Sequence, residues 1–232
     1  MIKSGFNLFK NHATFLISAG LATVVVQILL KLIQNGAQTN RGGFFLNLIV
    51  GLFVTLIGII ITIGWAKVFL KISRGNGSVW NDFKSAPTLW LRFIKGYLWY
   101  IAYFVASTVV ASIVFVILAV IGFTTNVMWL ATLGTVLGII ALAGVSIYFS
   151  VRYQFLKYVI IDNPEMHSRE TFKRAGALTK GSLLQLLGFA IVLGLVNLLG
   201  LICIVIGLFA TIPTTKIAQT KVYDYLKEKY SA

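Results

Sequence analysis

The sequence predicts an all-α membrane protein with six transmembrane helices in one domain, residues 1–232. Three observations predict this class. The chain is 58% hydrophobic and only 11% charged, and its mean hydropathy is +0.90, which excludes an ordinary soluble domain. Long apolar runs alternate with basic segments. Nearly all Lys and Arg fall in every second connection, which is the positive-inside bias of multi-span proteins.

The apolar runs give the spans in order. A helix needs about 20 apolar residues to cross about 30 Å of hydrocarbon. The N-terminal run is longer than a signal-peptide core and lacks a small-x-small cleavage site, so we interpret it as a retained span. Residues 183–212 are too many for one helix, so we place a turn at residues 197–200, where Asn197 and Gly200 weaken the helix. The predicted spans are 13–33, 44–66, 96–122, 128–150, 183–196 and 201–218.

Charge counting supports the sixth span. With six spans and both termini cytoplasmic, 18 of the 20 Lys and Arg are cytoplasmic, and only Lys31 and Arg41 are external. A single C-terminal span would export four lysines against the usual bias. Those lysines are Lys216, Lys221, Lys227 and Lys229.

A repeat underlies the pattern of spans. A similar amphipathic segment containing Phe-Lys precedes each pair of spans, at residues 5–10, 78–86 and 168–175. Ser78 and Ser168 are candidate N-caps of such helices. We therefore expect three helical hairpins, each preceded by a cytoplasmic interfacial helix. The repeat units are about 1–66, 78–150 and 164–222.

The third unit carries a family resemblance. Its motifs are Arg-Tyr-Gln-Phe at 152–155, Ile-Asp-Asn-Pro at 161–164, Ser-Arg-Glu-Thr-Phe-Lys-Arg-Ala at 168–175, Leu-Thr-Lys-Gly at 178–181 and Ala-Thr-Ile-Pro at 210–213. This pattern resembles poorly characterised bacterial six-span membrane proteins, including the membrane domain attached to some glycerophosphodiester phosphodiesterases. The resemblance covers about the last third of the chain. It implies a helical bundle in a bacterial inner membrane and brings no catalytic residue, and the sequence contains no phosphodiesterase domain.

Catalytic chemistry is not predicted. No predicted span contains Asp or Glu, and no residue pattern has metal-ligand spacing, a phosphate-binding Gly loop or a nucleophile beside a base. The single cysteine, Cys203, lies in an apolar run. We predict no enzyme, metal or cofactor. The net charge of +14 lies between lipid-embedded segments, which favours anionic lipid rather than nucleic acid as the partner.

Small residues predict close helix packing in the fourth span. Gly134 and Gly138 have GxxxG spacing, and Gly144 follows on the same helix. Such a stripe packs either within the chain or in a homodimer, and we expect this helix to lie centrally in the bundle.

The basic amphipathic segments 78–95 and 164–181 are the candidate functional surface. We expect the second to open with Asn163 as N-cap and Pro164 at the first helical position. Three roles remain open: charge that sets topology only, a phosphate or phospholipid site, and a docking surface for a cytoplasmic partner. We name the candidate contact residues the basic collar: Lys84, Arg92, Lys95, Arg152, Arg169, Lys173, Arg174 and Lys180.

The function that the sequence favours is a non-enzymatic inner-membrane scaffold or lipid-associated factor. A small permease, or the substrate-binding membrane subunit of a transporter, is the alternative. A polar cavity lined by Asn, Gln, Ser and Thr would favour the permease. A third hypothesis, resistance to a membrane-active peptide, is compatible with the size of the chain.

Overall fold

The computed structural model describes residues 2–39, 44–76, 89–202 and 206–231. These ranges consist of helices and short turns, without a strand, so the all-α prediction is confirmed for them. The helices are α1 (Ile2–Asn11), α2 (Ala13–Thr39), α3 (Phe44–Ser73), α4 (Trp90–Thr124), α5 (Met128–Arg152), α6 (Leu156–Asp162), α7 (Ser168–Leu178), α8 (Leu183–Ile202) and α9 (Ile206–Ser231).

Five segments within the described ranges are long and apolar enough to cross a membrane. They are Ala13–Gly36, Asn47–Ser73, Trp90–Thr124, Met128–Asp162 and Leu183–Ile202. A helical, membrane-embedded protein is therefore supported. The predicted sixth span, 201–218, is not among the five. Residues 203–205 lie outside the described part of the chain, and the apolar run of α9 ends at Ile212, before Pro213 and three polar residues.

Long helices that are neighbours in sequence pack against each other: α2 on α3, α4 on α5, and α8 on α9. The α4–α5 contact depends on glycine. A Cβ at Gly134 would lie 2.7 Å from the backbone nitrogen of Ala119, and one at Gly122 would overlap the backbone of Ala131. Rising numbers on one helix face falling numbers on the other, so α4 and α5 are antiparallel.

Helices α8 and α9 are also antiparallel, over nearly their whole length. Gly200 faces Thr211, Asn197 Oδ1 lies 3.4 Å from Thr215 Oγ1, and the Ser182 hydroxyl lies 3.3 Å from the Tyr230 hydroxyl. The turn predicted at residues 197–200 is wrong, because α8 continues to Ile202. Asn197 finds its polar partner on the neighbouring helix, so it does not need to end its own.

Buried side chains concentrate at one end of the bundle. Ile63, Phe155, Tyr158, Phe172 and Tyr223 are almost fully buried and, with their neighbours, form one cluster that we call the inner core. The core joins the end of α3 to the start of α4, to α6 and α7, and to the second half of α9. The remaining lengths of the spans expose apolar side chains around much of their circumference. That distribution is expected when lipid rather than protein covers those faces.

Two of the three predicted amphipathic segments are helical and pack on protein. Phe9 of α1 and Phe172 of α7 are buried. Gly5 faces α9 closely, since a Cβ there would lie 2.8 Å from the carbonyl oxygen of Thr214. The second segment, including Ser78, falls in residues 77–88, outside the described residues.

The predicted caps of the third segment are wrong. Asn163 ends α6, and its Nδ2 donates to the carbonyl oxygen of Val159 at 3.0 Å. His167 occupies the N-cap position of α7, and Ser168 is the first helical residue. Asn163 therefore caps the C-terminal end of α6 and does not start α7. Residues 164–167 form the connection between the two helices.

Candidate functional site

The structure places seven of the eight predicted collar residues, since Lys84 lies outside the described residues. Helix α7 packs on α4 and α6, which brings together collar residues that are far apart in the sequence. Phe172 of α7 stacks on Tyr153 with ring centroids 4.3 Å apart and on Tyr103 of α4 at 5.1 Å. This aromatic packing sets the position of the basic side chains of α7 relative to those of α4.

A cleft lies between α4 and the first residues of α7. Its volume is about 340 Å³, and none of the described residues that line it is acidic. The lining residues are Lys95, Leu98, Trp99, Ala102, His167 and Ser168. Arg169 borders the cleft, with its guanidinium carbon 5.6 Å from the Trp99 ring centroid in a cation–π contact. We call this the α4–α7 cleft; Lys95 lines it, and Arg169 contacts the Trp99 ring of the same lining.

The length of α4 indicates where this cleft lies relative to the membrane. A helix of 35 residues is about 52 Å long, whereas the hydrocarbon core is about 30 Å thick. With the Thr124 end at one membrane surface, about 15 residues project beyond the other hydrocarbon boundary. Ala102 therefore lies in the head-group layer, and Lys95, seven residues nearer the start of the helix, lies about 10 Å further from the bilayer centre. Exposed apolar side chains continue the same face toward the bilayer, as at Leu98 (57% exposed) and Val105 (51%).

The other cations of the basic collar differ in how many hydrogen bonds, cation–π contacts and ion pairs they make within the protein. Arg152 donates to the Tyr148 hydroxyl and stacks its guanidinium over that ring at 5.4 Å. Arg174 Nη1 donates to Asn163 Oδ1 at 3.4 Å. Arg92 lies 3.9 Å from Glu165, which is 94% exposed on its side chain, so this pair is loose. The exposed amino groups of Lys95, Lys173 and Lys180 make no ion pair or hydrogen bond with the described residues.

A second charged site was not predicted from the sequence. The Asp162 carboxylate accepts hydrogen bonds from both Arg74 Nη atoms at 2.9 and 2.6 Å, from Lys227 Nζ at 2.8 Å and from the Tyr223 hydroxyl at 3.1 Å. Arg74 Nη2 also donates to Asp224 at 2.7 Å. We call these five residues the Asp162 cluster. The side chain of Asp162 is only 6% exposed.

The cluster is ionically balanced, which suits a structural role. Hydrogen bonding to Asp162 raises the pKa of the Arg74 guanidinium despite partial burial. Burial, with the nearby Asp162 carboxylate, raises the pKa of the Tyr223 hydroxyl, which therefore stays protonated and donates. An open cavity of about 840 Å³ lies beside the cluster, and its lining combines basic and acidic residues. They are Ser4, Ser73, Arg74, Lys221, Asp224, Tyr225, Lys227 and Glu228.

A sequence signal for this cluster existed. Arg74, Asp162 and Asp224 each lie just beyond the second span of one predicted repeat unit. These residues follow their spans by 8, 12 and 6 residues. Charges of both signs after corresponding spans indicate a meeting point, whereas pairwise sequence spacing does not.

The predicted packing glycines have different surroundings. A Cβ at Gly138 would lie 3.4 Å from Phe115 Cβ on α4, and Gly134 is closer still to that helix. At Gly144 a Cβ would meet no atom within 4 Å, so this glycine has no packing role within the described chain. Helix α5 contacts mainly α4 and α8 and exposes much of its surface, so the central position predicted for it is wrong.

The described residues contain no group of three or more His, Cys, Asp or Glu side chains arranged to hold a metal ion. No family model matches the sequence, and neither a curated protein nor a solved structure matches it. The likeness to the membrane domain of some phosphodiesterases therefore stays a prediction.

Proposed function

We propose that this protein is a non-enzymatic, multi-span protein of a bacterial inner membrane, acting as a scaffold or lipid-associated factor. Its basic collar holds anionic phospholipid at the cytoplasmic surface. The observation that carries the proposal is the α4–α7 cleft, where Lys95 lies beside Trp99, the ring that Arg169 contacts, and where none of the described lining residues is acidic. Each basic residue near an anionic membrane surface contributes about 1 kcal/mol of attraction.

The proposed topology has six spans in three hairpins and both termini in the cytoplasm. Three packed pairs of long helices support it. The antiparallel course of α9 along α8, from Gly200 and Thr211 to Ser182 and Tyr230, supports a return crossing by the last helix. The Asp162 cluster adds support, because it joins the ends of α3, α6 and α9, which must then lie on one membrane side.

Lipid binding in this proposal is electrostatic. An interfacial helix that binds by insertion needs an apolar face open to lipid. Phe172 of α7 and Phe9 of α1 are instead buried against protein, and only Phe6 of α1 is exposed, at 44%, among the phenylalanines of these two helices. Charged side chains on the outer face of α7, such as Lys173, remain available to head groups.

The test compares two variants with equal charge loss. The protein is relipidated from an equimolar mixture of phosphatidylglycerol and phosphatidylcholine, and the retained lipid is quantified by mass spectrometry. Lys95→Gln/Lys173→Gln/Lys180→Gln removes collar charge, and Lys3→Gln/Lys10→Gln/Lys229→Gln removes three exposed charges outside it. We expect enrichment of phosphatidylglycerol in the wild type and the control and its loss in the collar variant. Equal enrichment in all three proteins contradicts the proposal.

No observation in the described ranges supports the permease alternative. The two cavities described above lie at the inner-core end, and neither has an Asn or Gln side chain among its described lining residues. A cytoplasmic protein partner, a homodimer and a resistance role remain hypotheses of the same standing.

A further inference from the structure

We propose that the α4–α7 cleft is a discrete site for one anionic glycerophospholipid, held through its phosphate diester. This inference rests on the proposed function and makes it specific, since a diffuse basic surface and a single built site both attract anionic lipid. The cleft supplies a cation, a hydrogen-bond donor and an apolar surface. Its volume of about 340 Å³ is near the lower limit for small-molecule pockets.

The polar end of the cleft suits a phosphate diester. Lys95 brings an exposed ammonium that no described residue engages, and Arg169 brings an exposed guanidinium in cation–π contact with the Trp99 ring. Ser168 and His167 add hydrogen-bonding groups at the same wall. A guanidinium and an ammonium around one phosphate give charge-assisted hydrogen bonds, the strong class for an anion.

The apolar end suits an acyl chain. Lys95, Leu98, Trp99 and Ala102 have the spacing i, i+3, i+4, i+7 and so share one face of α4. The stripe continues through exposed Val105 and Val109 toward the middle of the bilayer. A lipid whose phosphate sits at Lys95 would therefore lay a chain along a continuous apolar strip, which a free phosphate cannot use.

The cavity beside the Asp162 cluster differs from the cleft in its charge. There, the basic residues Arg74 and Lys227 are already neutralised by Asp162 and Asp224, so an incoming anion would compete with carboxylates. In the cleft no lining residue within the described part of the chain is acidic. The cavity beside the Asp162 cluster also has Lys221, which donates to the Ser4 hydroxyl, but Asp224 and Glu228 share that lining, whereas the described lining of the cleft is free of carboxylates.

The experiment is a native mass spectrometry titration of the full chain in detergent. The probes are dioctanoyl phosphatidylglycerol, dioctanoyl phosphatidylcholine, glycerol 1-phosphate and inorganic phosphate. We expect one tight adduct with phosphatidylglycerol and at least tenfold weaker binding of the other three. Equal affinity for phosphatidylglycerol and inorganic phosphate would show an anion site without a lipid track, and saturation at several equivalent adducts would show no discrete site. Either result overturns the inference.

Three variants localise the adduct. Lys95→Gln/Arg169→Gln should weaken the tight adduct by about 25-fold, from about fivefold for each cation near an anionic head group. Ala102→Trp keeps every charge but fills the cleft from an exposed position, and should weaken it at least tenfold. Lys173→Gln/Lys180→Gln removes the same charge from the collar outside the cleft and should change it less than twofold.

The pattern separates the two proposals. If both charge variants weaken phosphatidylglycerol binding equally and Ala102→Trp has no effect, the cleft is not a site, although the electrostatic collar stands. If the wild type shows no preference for phosphatidylglycerol over phosphatidylcholine, the proposed function fails together with the site.

Discussion

Replacing Asp162 by Asn tests whether the Asp162 cluster fastens the helix ends. The substitution keeps the side-chain volume but removes the charge that accepts hydrogen bonds from Arg74, Lys227 and Tyr223. Breaking a buried ion pair by removing one partner costs about 3–5 kcal/mol. The Arg74 and Lys227 side chains are each 35% exposed and can recover water, and Arg74 keeps Asp224. We therefore expect a loss of about 3 kcal/mol, the lower end of that range.

The assay is thermal unfolding of the purified protein in a mild detergent. For a chain of this size, 1 kcal/mol corresponds to about 2–4 °C, so Asp162→Asn should lower the Tm by about 6–12 °C. Tyr223→Phe removes one neutral donor from the same carboxylate and should cost about 1 kcal/mol. Glu170→Gln makes the same charge change at an exposed position and should be neutral within about 0.5 kcal/mol. A Tm of Asp162→Asn equal to that of the wild type would refute the role of the Asp162 cluster in holding the helix ends together.

Three other predictions follow from the packing. A reporter fused after Ala232 should give a cytoplasmic signal, and a periplasmic one would contradict the sixth span. Gly122→Ala should lower the free energy of unfolding by roughly 1–3 kcal/mol, seen as a lower Tm, because its Cβ meets the backbone of Ala131. Gly144→Ala, with open space around it, should be neutral or stabilising in the same thermal unfolding assay. Gly5→Ala crowds the Thr214 carbonyl, so limited proteolysis should cut α1 faster than in the wild type; unchanged cleavage would mean that α1 does not depend on this contact.

The sequence was sufficient for what depends on local composition. Apolar length predicted the long helices, and Phe-Lys segments predicted α1 and α7, because these patterns are contained within a few turns. The prediction at Asn197 failed for a tertiary reason. A polar side chain in a span needs a partner, and Asn197 has one in Thr215 of the neighbouring helix rather than in a turn.

The charged sites depend still more on distant contacts. Arg74 meets Asp162 and Asp224 across 88 and 150 residues, a separation that no spacing rule covers. Of the collar, the sequence identified Lys95 and Arg169 as basic surface residues. It did not identify Trp99, His167 or Ala102, because only the docking of α7 on α4 makes them one cleft.

The two charged sites differ in a way that separates structural charge from charge available to a ligand. In the Asp162 cluster each cation has a carboxylate within 3 Å, so the charges stabilise the fold and offer little to an incoming anion. In the α4–α7 cleft the Lys95 ammonium has no carboxylate partner among the described residues, so its charge is available to a ligand. Both sites lie at the inner-core end, where protein rather than lipid positions the helices. The bilayer can accommodate loosely packed apolar helix surfaces beyond them, whereas a site that binds one lipid needs the rigid packing of this end.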